Sequence, residues 1–466
     1  MKTSKITILS PPEKKLYFAA DKFVAEPKEF EKDGLTGHTW EVHNLPQIDP
    51  ESLMPGFYET VPYLQVSTFE TWDETARWVA DLVSEQFESS PAIKQAVLDT
   101  IKGLDTDEEK INALYQKMVS DIRYEALSLD SHAYKPFKAS ETFDRKYGDC
   151  KDTACLFVTM LREAGIEAGF ALVRVRDSGK VNTKVPSMKI FNHAITYVPD
   201  KNGGGIFYDG TARYCGAEEK PFMDEGALAF VVDRNGTGRL IEEIPFSAPM
   251  DNVDDNTLEI TLNTDGSATV VMESKITGKE AGDFRNTYQE GANRQRYFEQ
   301  TMNRYFGTIT VKTLEFSDLS EYNKPVLLKA EFTTPNFARI DGPKISFAPA
   351  VFSLDLADKY ASLEKREYEI VLDSYPIAYP KKSIHSMTFN IPAGYELSKL
   401  PEESQFQSDF GQYKLVTDRV APVKFIVKTE FTVTLLRINN KQYPAFRTFC
   451  ADVDRIEKED AVIEKP

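Results

Sequence analysis

Cysteine is scarce in this chain. Its 466 residues hold four, Cys150, Cys155, Cys215 and Cys450, too few for a disulfide scaffold at this length. Cys150 and Cys155 are five apart, and on one helix that spacing separates their Cα atoms by more than about 7 Å, beyond bridging. Neither C-x-x-C nor H-E-x-x-H occurs, which argues against a zinc centre. Gly203-Gly204-Gly205 is the one glycine run, but no helix follows it to cradle a phosphate, so it reads as a hairpin loop and no cofactor is inferred. No run of about 18 apolar residues exists to make a transmembrane helix. The stretch from Met1 to Pro11 lacks the continuous apolar segment of a signal peptide. Basic residues are outnumbered: 56 Lys and Arg against 73 Asp and Glu leave a formal charge of −17. Nucleic acid is therefore not the expected partner, because affinity for phosphate backbones comes from clustered Lys and Arg. Fixed-period repeats and low-complexity tracts are also missing.

What is present suits a folded protein of several cores. Apolar residues make up 41% of the chain and charged residues 28%, well away from disordered composition. Four segments are read. Residues 1–65 hold short strands broken by Pro and Gly, too few to close a sandwich, and are expected to be the end of a β domain whose earlier part is absent. They should pair as a partial sheet with an unprotected edge. Residues 66–245 mix helix and strand. Thr106 and Glu109 form a capping box before Ile111, Leu114, Tyr115, Met118 and Ile122 at helical spacing. A second helix starts near Cys150 and is apolar nearly all round, which predicts a central buried helix; Gly165 is its stop. Strands follow at 169–175, 193–198 and 206–209, the last two joined by the glycine hairpin. Residues 250–360 and 361–466 alternate as strands and are read as two β-sandwich-like domains, the first with one helix ending at Gly307, the second ending in a helix from Pro444. The fold class expected is α+β.

The stretch Arg145-Lys146-Tyr147-Gly148-Asp149-Cys150-Lys151-Asp152 carries the chemistry. A cysteine in the first turn of a buried helix directs its sulfur to the positive end of the helix dipole, which favours thiolate, the nucleophilic form. Asp149 and Asp152 oppose this, so a histidine partner is needed. Of five histidines, His38 and His43 lie in the N-terminal strands and His385 in the last β segment. His193 opens a strand in the same segment as Cys150, and Asp209 ends the strand paired with it. Neighbouring strands can set an imidazole beside a carboxylate that orients it. The competing reading is plain: a cysteine at a helix start is usually structural, and a lone strand histidine is usually a satisfied polar group. Cys155 reads as core, and Cys215 and Cys450 as partly buried packing residues.

Tyr147-Gly148-Asp149-Cys150-Lys151-Asp152, the helix end Leu161-Arg162-Glu163-Ala164-Gly165, Phe191-Asn192-His193 and Tyr208-Asp209-Gly210-Thr211 resemble the transglutaminase-like superfamily, rearranged relatives of papain-like cysteine proteases. The likeness is specific over about 120–215. Elsewhere, Pro62 to Thr68, Ser131 to Pro136, Phe389 to Pro392 and Tyr443 to Arg447 look like a bacterial branch whose core is flanked by β domains of unknown function. The resemblance implies Cys150 as nucleophile, His193 as base and acid, and Asp209 as orienter, with no metal and no cofactor. Glycine follows Asp209 where the family commonly has proline. It further implies a protein or peptide substrate and export to the periplasm or cell surface, relatives usually carrying a signal peptide.

The activity expected is acyl transfer from an amide, as protease, amidase or transglutaminase. The backbone N–H of Cys150 would be one oxyanion donor, with a second near His132 or Tyr134. The alternative is a binding or assembly module of the cell envelope whose transglutaminase-like core is occluded.

Overall fold

The computed structural model describes residues 2–21, 26–126, 130–373 and 377–466. They form two compact units, residues 1–213 with 220–245 and residues 214–219 with 246–466. The architecture is α+β. No helix among the described residues is long and apolar enough to cross a membrane.

In the first unit the N-terminal residues build a three-stranded antiparallel sheet, Leu35–His43 running between Thr3–Ser10 and Lys28–Lys32. Trp40 is buried and takes the edge of the Phe18 ring at 4.8 Å. Phe18 belongs to Tyr17–Asp21, which pairs with Tyr63–Ser67, so the ladder runs across the division drawn at 65. Helices Trp72–Val83, Pro91–Thr100 and Asp107–Asp121 follow. The last opens with the capping box of Thr106 and Glu109 and buries Ile111, Leu114, Tyr115 and Met118, as the spacing predicts. Ile122, expected on the same face, is its C-terminal cap and is buried too.

Two layers position the candidate site. One is the helix Cys150–Glu163, in which every residue from Lys151 to Leu161 is buried. The other is a five-stranded antiparallel sheet in the order Gly205–Tyr208, His193–Pro199, Gly169–Arg174, Leu228–Val232, Gly238–Ile241. Its three inner strands are almost wholly buried because one face meets the helix side and the other a cluster of Val173, Ile195, Tyr197, Phe207 and Ile244. Such strands read as continuous apolar runs. Thr196 fastens sheet to helix: its hydroxyl donates to the Ala154 carbonyl at 3.3 Å.

The second unit is built on an eight-stranded sheet. Val253–Leu262 pairs antiparallel with Ala268–Ile276 and, on its other side, parallel with Lys381–Asn390. The segments 250–360 and 361–466 thus meet in one sheet, and the boundary drawn between them is not a boundary between compact units. A four-stranded sheet containing Lys344–Phe347 and the last strand, Ala461–Glu464, packs on it through Phe347, whose ring lies 5.2 Å from that of Phe389. Helix Arg294–Phe306 covers it with Phe298 and Phe306 against Phe332, a packing role for the mixed basic and aromatic stretch.

Candidate active site

Cys150 is the first residue of its helix and is partly buried. The turn that presents it is held by reciprocal caps. Asp149 accepts from the backbone N–H of Lys151 at 3.2 Å and of Asp152 at 3.4 Å. Asp152 returns to the Asp149 N–H at 3.1 Å and also takes the Phe137 N–H at 2.8 Å. The ammonium of Lys151 folds back onto the Asp149 carboxylate, so the buried charges beside the sulfur are paired. Burial first, and the Asp149 charge second, hold the Asp152 carboxyl above the ordinary range. Gly148 is required by closeness: a Cβ there would lie 2.7 Å from Cβ of Asp152 and 3.2 Å from Cγ2 of Thr142.

His193 stands at the first position of its strand, opposite Val173, at the sheet end where the helix begins. Its Nε2 lies 3.1 Å from Oδ2 of Asp209, and the Cys150 side chain is close enough to favour the protonated ring. Burial disfavours the imidazolium, but the charge and hydrogen bond of Asp209, then the Cys150 side chain and the charge of Asp224, outweigh it. His193 is thereby raised well above its ordinary value.

Asp209 follows the strand Gly205–Tyr208 and is almost wholly buried. Burial opposes its ionisation, yet His193 and the donors of Thr211 hold it below the usual carboxylate range. Thr211 gives its N–H and hydroxyl to Oδ1, each at 2.8 Å. The Tyr115 hydroxyl donates to the Asp209 carbonyl at 2.8 Å and the Ala212 carbonyl at 3.3 Å, pinning the loop to helix Asp107–Asp121. Gly210 is pressed against helix Asp107–Asp121 and the central helix, where a Cβ would meet Cε of Met118 at 2.7 Å and Cβ of Thr153 at 3.1 Å.

The structure therefore brings together Cys150, His193 and Asp209, the three residues singled out in the sequence. The His132 ring stacks on Phe137 with centroids 3.8 Å apart, and Tyr134 is exposed. Cys155 is fully buried, and burial pushes its thiol upward. Cys450 is fully buried rather than partly so, while Cys215 is intermediate. His38, His43 and His385 lie outside the site. His385 hydrogen-bonds Asn256 in the eight-stranded sheet.

Two residues escaped the sequence reading. Tyr124 lies in the two-residue strand Arg123–Tyr124, parallel to Tyr147–Gly148 and opposite Gly148. Its phenol is half-exposed and is raised by partial burial first and by Cys150 second, with His193, Asp149 and Asp209 also within electrostatic reach. Only the chain's return beside Gly148 signals it. Asp224, in the turn before Leu228–Val232, is fully buried with Oδ1 3.9 Å from Nε2 of His193. His193, Asp209 and Asp224 each offer one ligand atom within 4.8 Å of the others, a donor set that could hold a metal ion. The three residues are spread over 193–224, with no short local spacing to signal them.

Residues 94–209 match the model of the transglutaminase-like superfamily. Residues 343–463 match a domain of unknown function whose structure has been solved, DUF3858. No curated protein matches the chain. The crystal structure of a candidate protease from Parabacteroides distasonis ATCC 8503 aligns over 99% of this chain and 72% of its own, with TM-score 0.63 and 14% identity. That likeness is one of fold. A candidate cysteine protease from Cytophaga hutchinsonii aligns over 44% of this chain and 66% of its own at 13% identity, with a TM-score of 0.23. A central helix opened by cysteine, set on an antiparallel sheet and matched in sequence, makes the core of this chain a member of the transglutaminase-like superfamily.

Proposed function

We propose that the protein catalyses cysteine-dependent acyl transfer on amide bonds of a protein or peptide, with Cys150 as nucleophile, His193 as base and acid, and Asp209 as orienter. The observation that carries this is the grouping of the Cys150 side chain, the His193 ring and the Asp209 carboxylate at one end of the sheet, with Nε2 of His193 3.1 Å from Oδ2 of Asp209. In the first step the Cys150 sulfur attacks the amide carbonyl. His193 gives its proton to the departing amine as the tetrahedral intermediate collapses to a thioester. Asp209 stabilises the imidazolium and fixes its ring. In the second step water or an amine, deprotonated by His193, attacks the thioester and regenerates the sulfur. Water makes the protein a protease or amidase; an amine makes it a transglutaminase.

The oxyanion needs donors aimed at where charge develops. The backbone N–H of Cys150 at the helix start is one. The Tyr124 hydroxyl, across from Gly148, is the second. On the resemblance of the sequence to an exported bacterial branch, the substrate belongs to the periplasm or cell surface, and cell fractionation checks that location.

The test compares wild type with Cys150→Ala on a peptide and amide library containing a primary amine. Released ammonia, cleaved peptide or amine conjugate from wild type alone supports the proposal. Identical silence from both proteins, with partner binding unchanged, sinks it and favours the occluded binding module.

A further inference from the structure

We propose that the groove between the strand Ser404–Gln407 and the helix Tyr443–Glu457 docks an extended peptide with apolar residues at alternate positions and a basic residue at each end. The peptide adds as a further strand to the edge of the eight-stranded sheet. The site lies in the second unit and within residues 343–463, the match to a domain of unknown function, and it does not depend on the triad reading.

The sheet ends on Ser404–Gln407, which pairs on one side only, with Gly411–Ala421. The hairpin turn fixes which of its backbone groups face outward. The Ser408 N–H donates to the Gly411 carbonyl at 2.9 Å, and the Gly411 N–H returns to the Ser408 carbonyl at 3.2 Å. Antiparallel ladders alternate bonded and non-bonded pairs. In the observed register, Phe406 opposite Tyr413 is then a bonded pair. Gln405 opposite Lys414 and Gln407 opposite Gln412 are non-bonded pairs, whose N–H and C=O groups on this strand turn away from the sheet. Such an edge is a template for another strand unless it is protected. The opposite edge of the same sheet is protected: Thr310–Phe316 carries Lys312 and Glu315 and a register shift between Val311 and Thr313. Ser404–Gln407 has no charged residue, no proline and no shift, and only its shortness guards it.

Beside this edge lies a groove of about 510 Å³, within the range of roughly 300–1,000 Å³ found for ligand pockets. Its apolar lining includes Phe406, Phe410, Phe446 and Phe449, and Phe410 meets the two helix rings edge-on at 4.9 and 5.8 Å. Phe406 shares a sheet face with buried Tyr413, their rings stacked at 6.4 Å. An added strand continues the pleat, so every second side chain falls beside Phe406 and the others face solvent with Gln405 and Gln407. The Ser408 hydroxyl also lines the groove and is buried without a hydrogen-bond partner among the described residues. Charge selects the occupant. Asp409 and Asp452 are in the lining, and no Lys, Arg or His is. Gln442, at the start of the helix, donates to Asp409 at 3.0 Å. Asp452 is further along the same helix by about 15 Å, close to the span of roughly 13 Å of a four-residue strand. Arg455, outside the lining, comes no nearer to Asp452 than 3.9 Å. A cation at each end of the peptide complements the two carboxylates.

The probe is the capped peptide Lys-Thr-Phe-Thr-Phe-Thr-Lys with a fluorophore, added to the whole chain and followed by anisotropy. Saturable binding with Kd below about 1 mM is expected. Replacing both peptide lysines by glutamate should weaken it by about tenfold or more, and joint Asp409→Asn and Asp452→Asn should remove that preference. Gln405→Pro takes away one outward N–H at a position where an edge strand accepts proline. It should weaken binding by about tenfold while the melting temperature stays close to wild type. Should this variant not fold, N-methylated peptides decide on the wild-type chain. Methylating one alternate set of peptide amides should abolish binding and methylating the other should spare it, because only one set faces the sheet edge. Equal effects of the two sets overturn strand addition. Absence of saturable binding by the lysine peptide, or equal binding of the glutamate peptide to wild type, overturns the proposal. So does a dimer in sedimentation that Gln405→Pro dissociates, since the edge then belongs to a second copy of the chain.

Discussion

At the scale of single residues, Cys150 and Cys155 illustrate how position on one helix separates two thiols. The first is at the helix start and partly open; the second is fully buried, and burial pushes its thiol upward. Brief iodoacetamide treatment near neutral pH should label Cys150 well before Cys155, as read by mass spectrometry of the two peptides. Equal labelling would remove the basis for an activated nucleophile. Cys150→Ala should abolish thioester formation yet change stability by about 1 kcal/mol or less, because alanine suits a helix and the sulfur is not in the core. Tyr124 offers a finer test. If its hydroxyl serves the oxyanion, Tyr124→Phe should lower kcat by on the order of 100-fold with little change in KM, the pattern of an interaction made only in the transition state. A rise in KM alone would assign Tyr124 to substrate binding instead.

Elements place these residues through short-range devices that can be broken one at a time. Asp149 both caps the central helix and neutralises the buried Lys151 ammonium. Asp149→Ala loses both and leaves a buried charge without its partner, so unfolding in urea should show a loss of about 3 kcal/mol or more. Asp149→Asn keeps a capping oxygen and should cost distinctly less; equal losses would mean the ion pair contributes nothing. Tyr115→Phe removes the donor that satisfies the carbonyls of Asp209 and Ala212, at about 1–3 kcal/mol for the buried carbonyls left unpaired. This architecture was largely legible beforehand. The helix at 150, the three strands and the hairpin between Pro199 and Gly205 follow from periodicity and turn chemistry within a few residues of each. The glycine after Asp209 looked like a simple departure from the family pattern. In the fold it is where the chain touches Thr153 of the helix, a contact between residues 57 positions apart that local pattern cannot show.

For the whole molecule, buried ionisable groups predict how stability follows pH. In the second unit, burial pushes the Glu457 carboxyl up to about 8, while the Leu354 N–H donates to it at 2.8 Å. Burial lowers His385 to about 3, and burial with Glu280 raises Asp254 and Asp283 to about 6. Between its unfolded value of 4.5 and about 8, Glu457 holds a proton when folded that the unfolded chain has released. Stability therefore falls as pH rises through that window. Above the ordinary histidine value of 6.5 His385 is neutral in both states, and the two aspartates have mostly ionised. From there to pH 8 Glu457 governs this unit, with a loss on the order of 2 kcal/mol. In the first unit His193 acts in the same sense: its raised value gives stability that is full below 6.5 and is lost as pH rises through the folded value. Melting curves between pH 6.5 and 8 should be distinctly flatter for Glu457→Gln than for wild type; an unchanged slope would mean the carboxyl is ionised in the fold.

The amino-acid sequence by itself determined the α+β class and the helix that presents Cys150, and it singled out His193 and Asp209 as the partners to expect. Each was readable because capping, apolar periodicity and turn residues act over a few positions. Tertiary structure decided what distant segments do when they meet. It joined residues 253–262 to 381–390 as parallel neighbours, merging two stretches that looked separate. It brought Tyr124 beside Gly148 and turned Asp224 onto His193 and Asp209. The physical reason is the same in each case. A tyrosine or aspartate acquires its role from what surrounds it, from burial, the absence of donors and a neighbouring charge, and those surroundings exist only once the chain has folded.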